Sequence, residues 1–243
     1  MVKPIGLLTA IAQEYEAVEA LMENRTSERD FLLGDVEGRR VCLAMTGIGK
    51  VNAAVSATQM CERTAPSALV FTGVAGGLDP ALDIGDVVIG HTLIQHDAGV
   101  LGDDGIATYQ AGHIPFYNPT DQLGFHPSDR LLTAVRLAVA SAPEETIGCR
   151  IMFGTILTGD QFLESDRERQ RLRERFSAHA IEMEGGAVAQ VAARYGVDHL
   201  AIRTLSDRAG QTSSTDFSTF LDRVARQTTD LIRLLLPVIG SEV

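Results

Sequence analysis

Acidic residues at three places along the chain have types and settings that could do chemistry on a polar ligand. The first is Ala180-Ile181-Glu182-Met183-Glu184-Gly185-Gly186, where an apolar entry leads to two carboxylates two residues apart and then to a glycine pair. If Glu182 to Glu184 are extended, both carboxylates share one face and Met183 takes the other. That layout can offer acceptors to a polar ligand and a thioether to its apolar part; the alternative is a surface turn with ordinary acids. The second is Glu14, just past the apolar run Ile5 to Leu8 and in the first turn of an expected helix. A carboxylate there answers the helix dipole, or serves as a general base in the crevice where strands end in open α/β folds. The third is Ser206-Asp207, at the carboxyl end of the apolar run Leu200 to Leu205 and in the same kind of position. Phe162, after Thr158-Gly159-Asp160-Gln161, could stack on an aromatic ligand or fill a core.

Two glycine-rich stretches invite nucleotide readings and fail them. Thr46-Gly47-Ile48-Gly49-Lys50-Val51 contains Gly-Lys, but a phosphate loop needs Gly where Ala44 stands and Ser or Thr where Val51 stands. Gly73, Gly76 and Gly77 do not form the dinucleotide pattern, and turn residues rather than a helical repeat follow them. Such glycines can still let the backbone turn tightly or approach a flat base. His91, His96 and Asp97 have a spacing that could suggest a metal, but no second cluster completes a geometry. Neither a metal nor a cofactor is expected.

The elements that must position these groups follow from periodicity and turn chemistry. Strands are expected at Ile5 to Leu8, Phe31 to Gly34, Val41 to Met45, Ala68 to Phe71, Val87 to Ile94, Cys149 to Leu157 and Leu200 to Leu205. Helices are expected after Glu14 through Met22, with Tyr15, Val18, Ala20 and Leu21 buried. Others are expected at Val51 to Arg63, Asp129 to Ser141, the basic run Arg167 to Arg175, and after Gly186. In that last helix Val188, Val191, Ala192 and Tyr195 fall on one face. A terminal helix over Phe217 to Ile239 has Leu221, Val224, Ala225 and Leu231 to pack, after a polar loop from Arg208 to Thr215. The irregular stretch Gly99 to His126 is long enough to be functional or an interface element, and carries Tyr109, Ile114, Phe116 and Tyr117. Nothing divides residues 1–243, so a single domain is expected.

With 21 basic and 32 acidic side chains, the net charge of −11 argues against general nucleic-acid binding. Three scattered cysteines form no disulfide framework or metal spacing and suit a reducing cytoplasm. The N-terminal apolar run is too short for a signal peptide, and no stretch is long enough to span a bilayer.

Taken in order, Thr46-Gly47-Ile48-Gly49-Lys50-Val51, Thr72-Gly73-Val74-Ala75-Gly76-Gly77-Leu78, Ile84-Gly85-Asp86-Val87-Val88, Thr158-Gly159-Asp160-Gln161-Phe162, Glu182-Met183-Glu184 and Arg203-Thr204-Leu205-Ser206-Asp207 form a recognisable series. Over nearly its whole length the chain resembles the bacterial 5′-methylthioadenosine/S-adenosylhomocysteine nucleosidases of the purine nucleoside phosphorylase superfamily. The resemblance implies a three-layer α/β/α fold around a central mixed twisted sheet, and a homodimer whose partner subunit completes part of the pocket through the Gly99 to Phe116 region. It implies hydrolysis of adenine nucleosides, 5′-deoxyadenosine possible among them, without a cofactor. By the same resemblance Glu14 activates the attacking water. Asp207, with Ser206 beside it, protonates or hydrogen-bonds N7 of adenine. Glu184 holds the ribose hydroxyls, Met183 packs by the sugar, Phe162 stacks on the base, and Ile48 walls the 5′-substituent. Glu182 and Gly76 complete the expected substrate contacts.

The chemistry asks for such groups. Adenine is a poor leaving anion and needs an acid; the sugar gains oxocarbenium character, and a base must deprotonate water on the other side. Glu14 is expected to stay ionised while Asp207 stays partly protonated or shares a proton with N7. Two rivals differ in class. A phosphorylase of this fold needs arginines around phosphate, and Phe71-Thr72 stands where resembling enzymes place one, leaving Lys50. A nucleoside-binding protein without catalysis would not need a carboxylate on the water side.

Overall fold

The buried strands of the chain read as continuous apolar runs because helices cover them on both faces. The structure, a computed structural model, describes residues 3–143 and 147–240, except for the side chains at 222, 223, 225 and 226. The expected packing of Ala225 therefore lies outside the described residues. The order is β1 (Ile5–Thr9), α1 (Ala12–Glu19), β2 (Glu23–Glu28), β3 (Phe31–Val36), β4 (Arg39–Met45), α2 (Lys50–Thr64), β5 (Ala68–Gly77), β6 (Val87–Gln95), β7 (Gly99–Gly102) and β8 (Gly105–Thr108). Then come α3 (Asp129–Ser141), β9 (Ile151–Thr158), α4 (Asp166–Phe176), β10 (Ala180–Glu182), α5 (Gly185–Tyr195), β11 (Asp198–Asp207), α6 (Ser213–Leu235) and a 3-10 turn (Leu236–Val238).

Nine strands form one mixed sheet in the order β10-β9-β6-β11-β5-β1-β4-β3-β2, and β10 also pairs with β5. The strands from β5 through β11, β6 and β9 to β10 therefore close on themselves. Alternation along each strand sends side chains to two cores. Ile5, Leu7 and Val70 meet Val18 of α1, Val135 of α3 and Leu231 of α6 on one face. Leu8, Leu69 and Phe71 meet Ala53 and Met60 of α2 and Val188 of α5 on the other. This is the α/β/α layering around a mixed sheet, and β1, β5 and β11, parallel neighbours, run through its middle.

Several expectations change. The glycine stretch after Phe71 is not a loop: β5 continues to Gly77, paired with β11 through Gly73↔Arg203 and Ala75↔Leu205. The Arg208 to Thr215 loop is shorter than expected, since α6 begins at Ser213. β2, all polar and fully exposed, has no apolar period to betray it. Ala20 is exposed, and Tyr195 points outward with its hydroxyl on Glu62. The Gly99 to His126 stretch contains the β7–β8 hairpin.

Candidate active site

The carboxyl ends of β1, β5 and β11 open into one cavity of about 200 Å³, room enough for a small organic molecule. Glu14, Ile48, Gly76, Phe162, Glu182, Met183, Glu184, Ser206 and Asp207 all line it. Ile48 and Phe162 are exposed at its mouth, while the four carboxylates are buried.

Glu14 sits in the first turn of α1 and reaches back over the end of β1. Its Oε2 accepts from Ala10 N at 2.8 Å and Ile11 N at 3.3 Å, and its Oε1 from Val74 N at 2.9 Å. Glu14 thus stands both in the first turn of a helix and at the strand end that faces the cavity. Gly73 makes room for it: a Cβ there would collide with the Glu14 carboxyl and stand 2.7 Å from Arg203 Nη1. Three residues further along β5, on the order of 10 Å, a Cβ on Gly76 would lie 2.9 Å from Asp207 Oδ1. The two acids therefore flank one strand, each over a glycine. Asp207 closes β11, where the register against β5 shifts between Leu205 and Asp207. Its Oδ1 accepts from Ala209 N at 2.8 Å and its Oδ2 from Ser206 Oγ at 2.9 Å.

The residue that sequence reasoning missed is Arg203. It is fully buried, donates through Nη2 to Glu182 and, at 3.3 Å, to Glu184, and lies 4.2 Å over the Phe71 ring. A charge inside an apolar strand must be paired, and that requirement was its available signal. Glu182 is corrected accordingly. Besides Arg203, its carboxylate takes the Thr158 hydroxyl, Glu184 N at 3.0 Å and Gly185 N at 2.6 Å. It caps α5 and anchors Arg203 rather than offering free acceptors to a ligand. Nor is the Glu182–Glu184 stretch one extended strand, since β10 ends at Glu182 and Glu184 caps α5. Glu184 Oε1 accepts from Gly49 N at 2.9 Å, so the glycine turn before α2 steadies a carboxylate instead of a phosphate. Lys50 turns away to Asp97, 2.6 Å from Nζ. Phe217 of α6, not anticipated as a site residue, also lines the cavity and meets Phe162 edge-on, with centroids 6.1 Å apart.

Burial raises the pKa of both Glu14 and Asp207 in the unliganded site. Against burial, Arg203 and three backbone N–H groups favour the Glu14 anion; Ala209 N and the Ser206 hydroxyl favour the Asp207 anion, while the charge of Asp216 adds to burial there. Glu184 is pushed up to about 7, by burial first and then by Glu182, against Arg203 and Gly49 N. A folded-state pKa above the unfolded value of 4.5 favours the protonated folded form. The resulting stabilisation is complete below that value and is lost as pH rises through about 7, at roughly 1.4 kcal/mol per pK unit. Thermal melts of the unliganded protein from pH 5 to pH 8 should show Tm falling more steeply with pH than in Glu184→Gln, and equal slopes would contradict this.

A sequence profile of the phosphorylase superfamily matches residues 4–239. A 5′-methylthioadenosine/S-adenosylhomocysteine nucleosidase of Mycobacterium bovis is 40% identical over 99% of this chain and 100% of its own length. Among solved structures, the Colwellia psychrerythraea nucleosidase of that name, in complex with adenine, superposes with a TM-score of 0.86 at 28% identity, covering 100% of this chain and 98% of the other. The Neisseria meningitidis enzyme, in complex with methylthio-immucillin-A, gives 0.81 at 30% identity over 96% and 98%. Matched over nearly its full length in sequence and in fold, the chain belongs to the phosphorylase superfamily and, within it, to the 5′-methylthioadenosine/S-adenosylhomocysteine nucleosidases.

Proposed function

We propose that this protein hydrolyses the N-glycosidic bond of 5′-methylthioadenosine and S-adenosylhomocysteine, releasing adenine and the 5′-substituted ribose. The observation that carries this reading is the pair Glu14 and Asp207, buried in one cavity and set on either side of β5. Asp207 donates to N7 as the bond from C1′ to the base breaks. Glu14 takes a proton from the water that attacks C1′. Glu184, ionised, accepts from the ribose hydroxyls. Met183 packs on the sugar, Phe162 covers the base, Ile48 borders the 5′-substituent, and Gly76 and Ser206 shape the base end. Glu182 acts through Arg203 and the start of α5.

Hydrolysis is favoured over phosphorolysis by the charge balance. Glu14, Glu182 and Glu184 surround the single guanidinium of Arg203, which is already paired, and Lys50 is engaged elsewhere. A phosphate dianion placed there would face net negative charge. Incubation with 5′-methylthioadenosine in phosphate-free buffer should release adenine and free methylthioribose at a rate that added phosphate leaves unchanged. A strict phosphate requirement with a sugar 1-phosphate product would overturn the assignment.

The protein acts as a homodimer of single-domain subunits spanning residues 1–243. Support comes from the exposed Leu101, Ile114, Phe116 and Tyr117, with Ile48, Val51 and Val55 exposed as well; apolar surface of this extent favours burial against another chain. Light scattering at assay concentration should give twice the chain mass, and a fully active monomer would refute it. Among the described residues no helix is long and apolar enough to cross a membrane. Cys42, Cys61 and Cys149 are free thiols, which supports a cytoplasmic location; fractionation that places the protein outside the cytosol would contradict it.

A further inference from the structure

Lys50 begins α2, and a cation in the first turn of a helix faces the dipole with the wrong sign. Nothing within α2 compensates, because its N-cap is Gly49 and its first turn holds no acidic residue. Two carboxylates from other segments do so instead. Glu184 Oε1 accepts from Gly49 N at 2.9 Å, and Asp160 Oδ1 accepts from Lys50 N at 2.8 Å. The Lys50 side chain then reaches the same neighbourhood, with Nζ 2.6 Å from Asp97 Oδ1 and 3.8 Å from Asp160 Oδ2. Asp97 Oδ2 in turn accepts from Asp160 N at 3.1 Å. The turns that follow β4, β6 and β9 are thereby joined at one point. The Lys50 and Asp97 side chains are only 18% and 16% exposed, so their attraction is screened less than that of a surface pair.

The junction holds the segment that carries Phe162. Residues 159–164 belong to no regular element. Gly159 N donates to Glu182 O at 3.1 Å, and a Cβ on Gly159 would collide with the His96 ring, so the segment starts seated on the end of β6. Phe162, two residues past Asp160, is half exposed at the cavity mouth, and burial alone does not fix its place. We propose that Lys50 is a positioning residue for the base end of the cavity: by bridging Asp97 and Asp160 it holds the turn after β9 and so sets Phe162 over the base. The same corner steadies Glu184 through Gly49 N, so the groups for base and ribose are located from one point. Without the ammonium, Asp97 and Asp160 would face each other as two carboxylates with no cation between them. Arg171, which lines a small side cavity with Asp97, is engaged with Glu168 at 2.7 Å.

This inference rests on the reading of Phe162 as the cover of the base. It is tested with Lys50→Met and Lys50→Arg by measuring kcat and KM for 5′-methylthioadenosine and Kd for adenine, with thermal melts as a folding control. Stacking on the base is made in the bound substrate and in the transition state alike, so its loss weakens binding without slowing the chemical step. From the usual strength of base–aromatic stacking, K50M should raise KM and the adenine Kd together by about 5-fold to 50-fold, with kcat within about 3-fold of the parent. K50R keeps the charge and should recover most of the affinity. Asp97→Asn should weaken adenine binding too, and the K50M/D97N double variant should bind no more weakly than K50M, because both changes act through one contact. Parental KM and adenine Kd in a folded K50M overturn the proposal, as do a loss confined to kcat, a folded K50R no better than K50M, or a double variant whose losses add. If K50M does not fold, D97N should show the same split in smaller measure, and parental KM and adenine Kd there also overturn it. Phe162→Ala run in parallel separates the two failures. Unchanged adenine affinity in F162A defeats the reading of Phe162 and this proposal with it, whereas weakened affinity in F162A beside parental affinity in K50M defeats only the role of Lys50.

Discussion

Asp207→Asn is expected to lower kcat for 5′-methylthioadenosine by roughly 100-fold to 10,000-fold, the range of general acid contributions, while leaving much of the affinity for adenine nucleosides. The amide can keep the existing bonds. Its oxygen can take Ala209 N in place of Oδ1, and its NH2 can face Ser206 Oγ, which then accepts. The substitution therefore preserves shape and hydrogen bonding but removes the acidic proton for N7. Full rate curves on the parent and the variant decide it: near-normal turnover by D207N would show that the acid lies elsewhere.

Glu14→Gln should lose turnover on the same scale, for two reasons that the structure separates. The first is chemical, since the amide cannot deprotonate water. The second is geometric. Both carboxylate oxygens of Glu14 accept from backbone N–H groups, Val74 on one and Ala10 with Ile11 on the other. A glutamine must turn its NH2 toward one of those donors. A buried donor left facing a donor costs about 1–3 kcal/mol, so E14Q should also unfold at lower denaturant concentration than the parent. A variant with normal kcat would remove Glu14 as the base. One with low kcat and parental stability would instead show that the backbone cradle adjusts to the amide.

The positions of the site groups were legible because each chemical residue stands at the end of an apolar run, and strand ends in an open α/β fold converge. Glu14, Asp207 and the Glu182 to Glu184 corner needed little more than that. What the chain did not reveal was how charges pair across distant segments. Arg203 lies in the run Leu200 to Leu205 and resembles an incidental polar residue until β10 and β11 are seen to place it against Glu182 and Glu184. For the same reason Glu182 resembled a ligand contact, though its oxygens are used internally. The glycines of β5 look like loop residues in one dimension, because their reason is room for the Glu14 and Asp207 side chains rather than a turn. Phe217 was readable as the start of a helix, but its approach to Phe162 depends on the packing of α6 over the sheet.

The closure of the sheet has a consequence for how the protein tolerates crowding by its own copies. Where β10 returns to β5, it also covers Ile156 to Thr158 of β9, so that part of the margin is paired. The opposite end of the nine-strand sheet is β2, whose six residues Glu-Asn-Arg-Thr-Ser-Glu are all exposed and none is apolar. Its pairing with β3 is also broken in register between Glu23 and Thr26. An incoming strand would find charged side chains and a bent ladder there, with no apolar surface to bury, and these are features that discourage edge-to-edge growth into aggregates. The nine-strand sheet thus meets solvent at the β2 margin with charge and at the other with a strand end tied back to β5, features that work against growth through those margins.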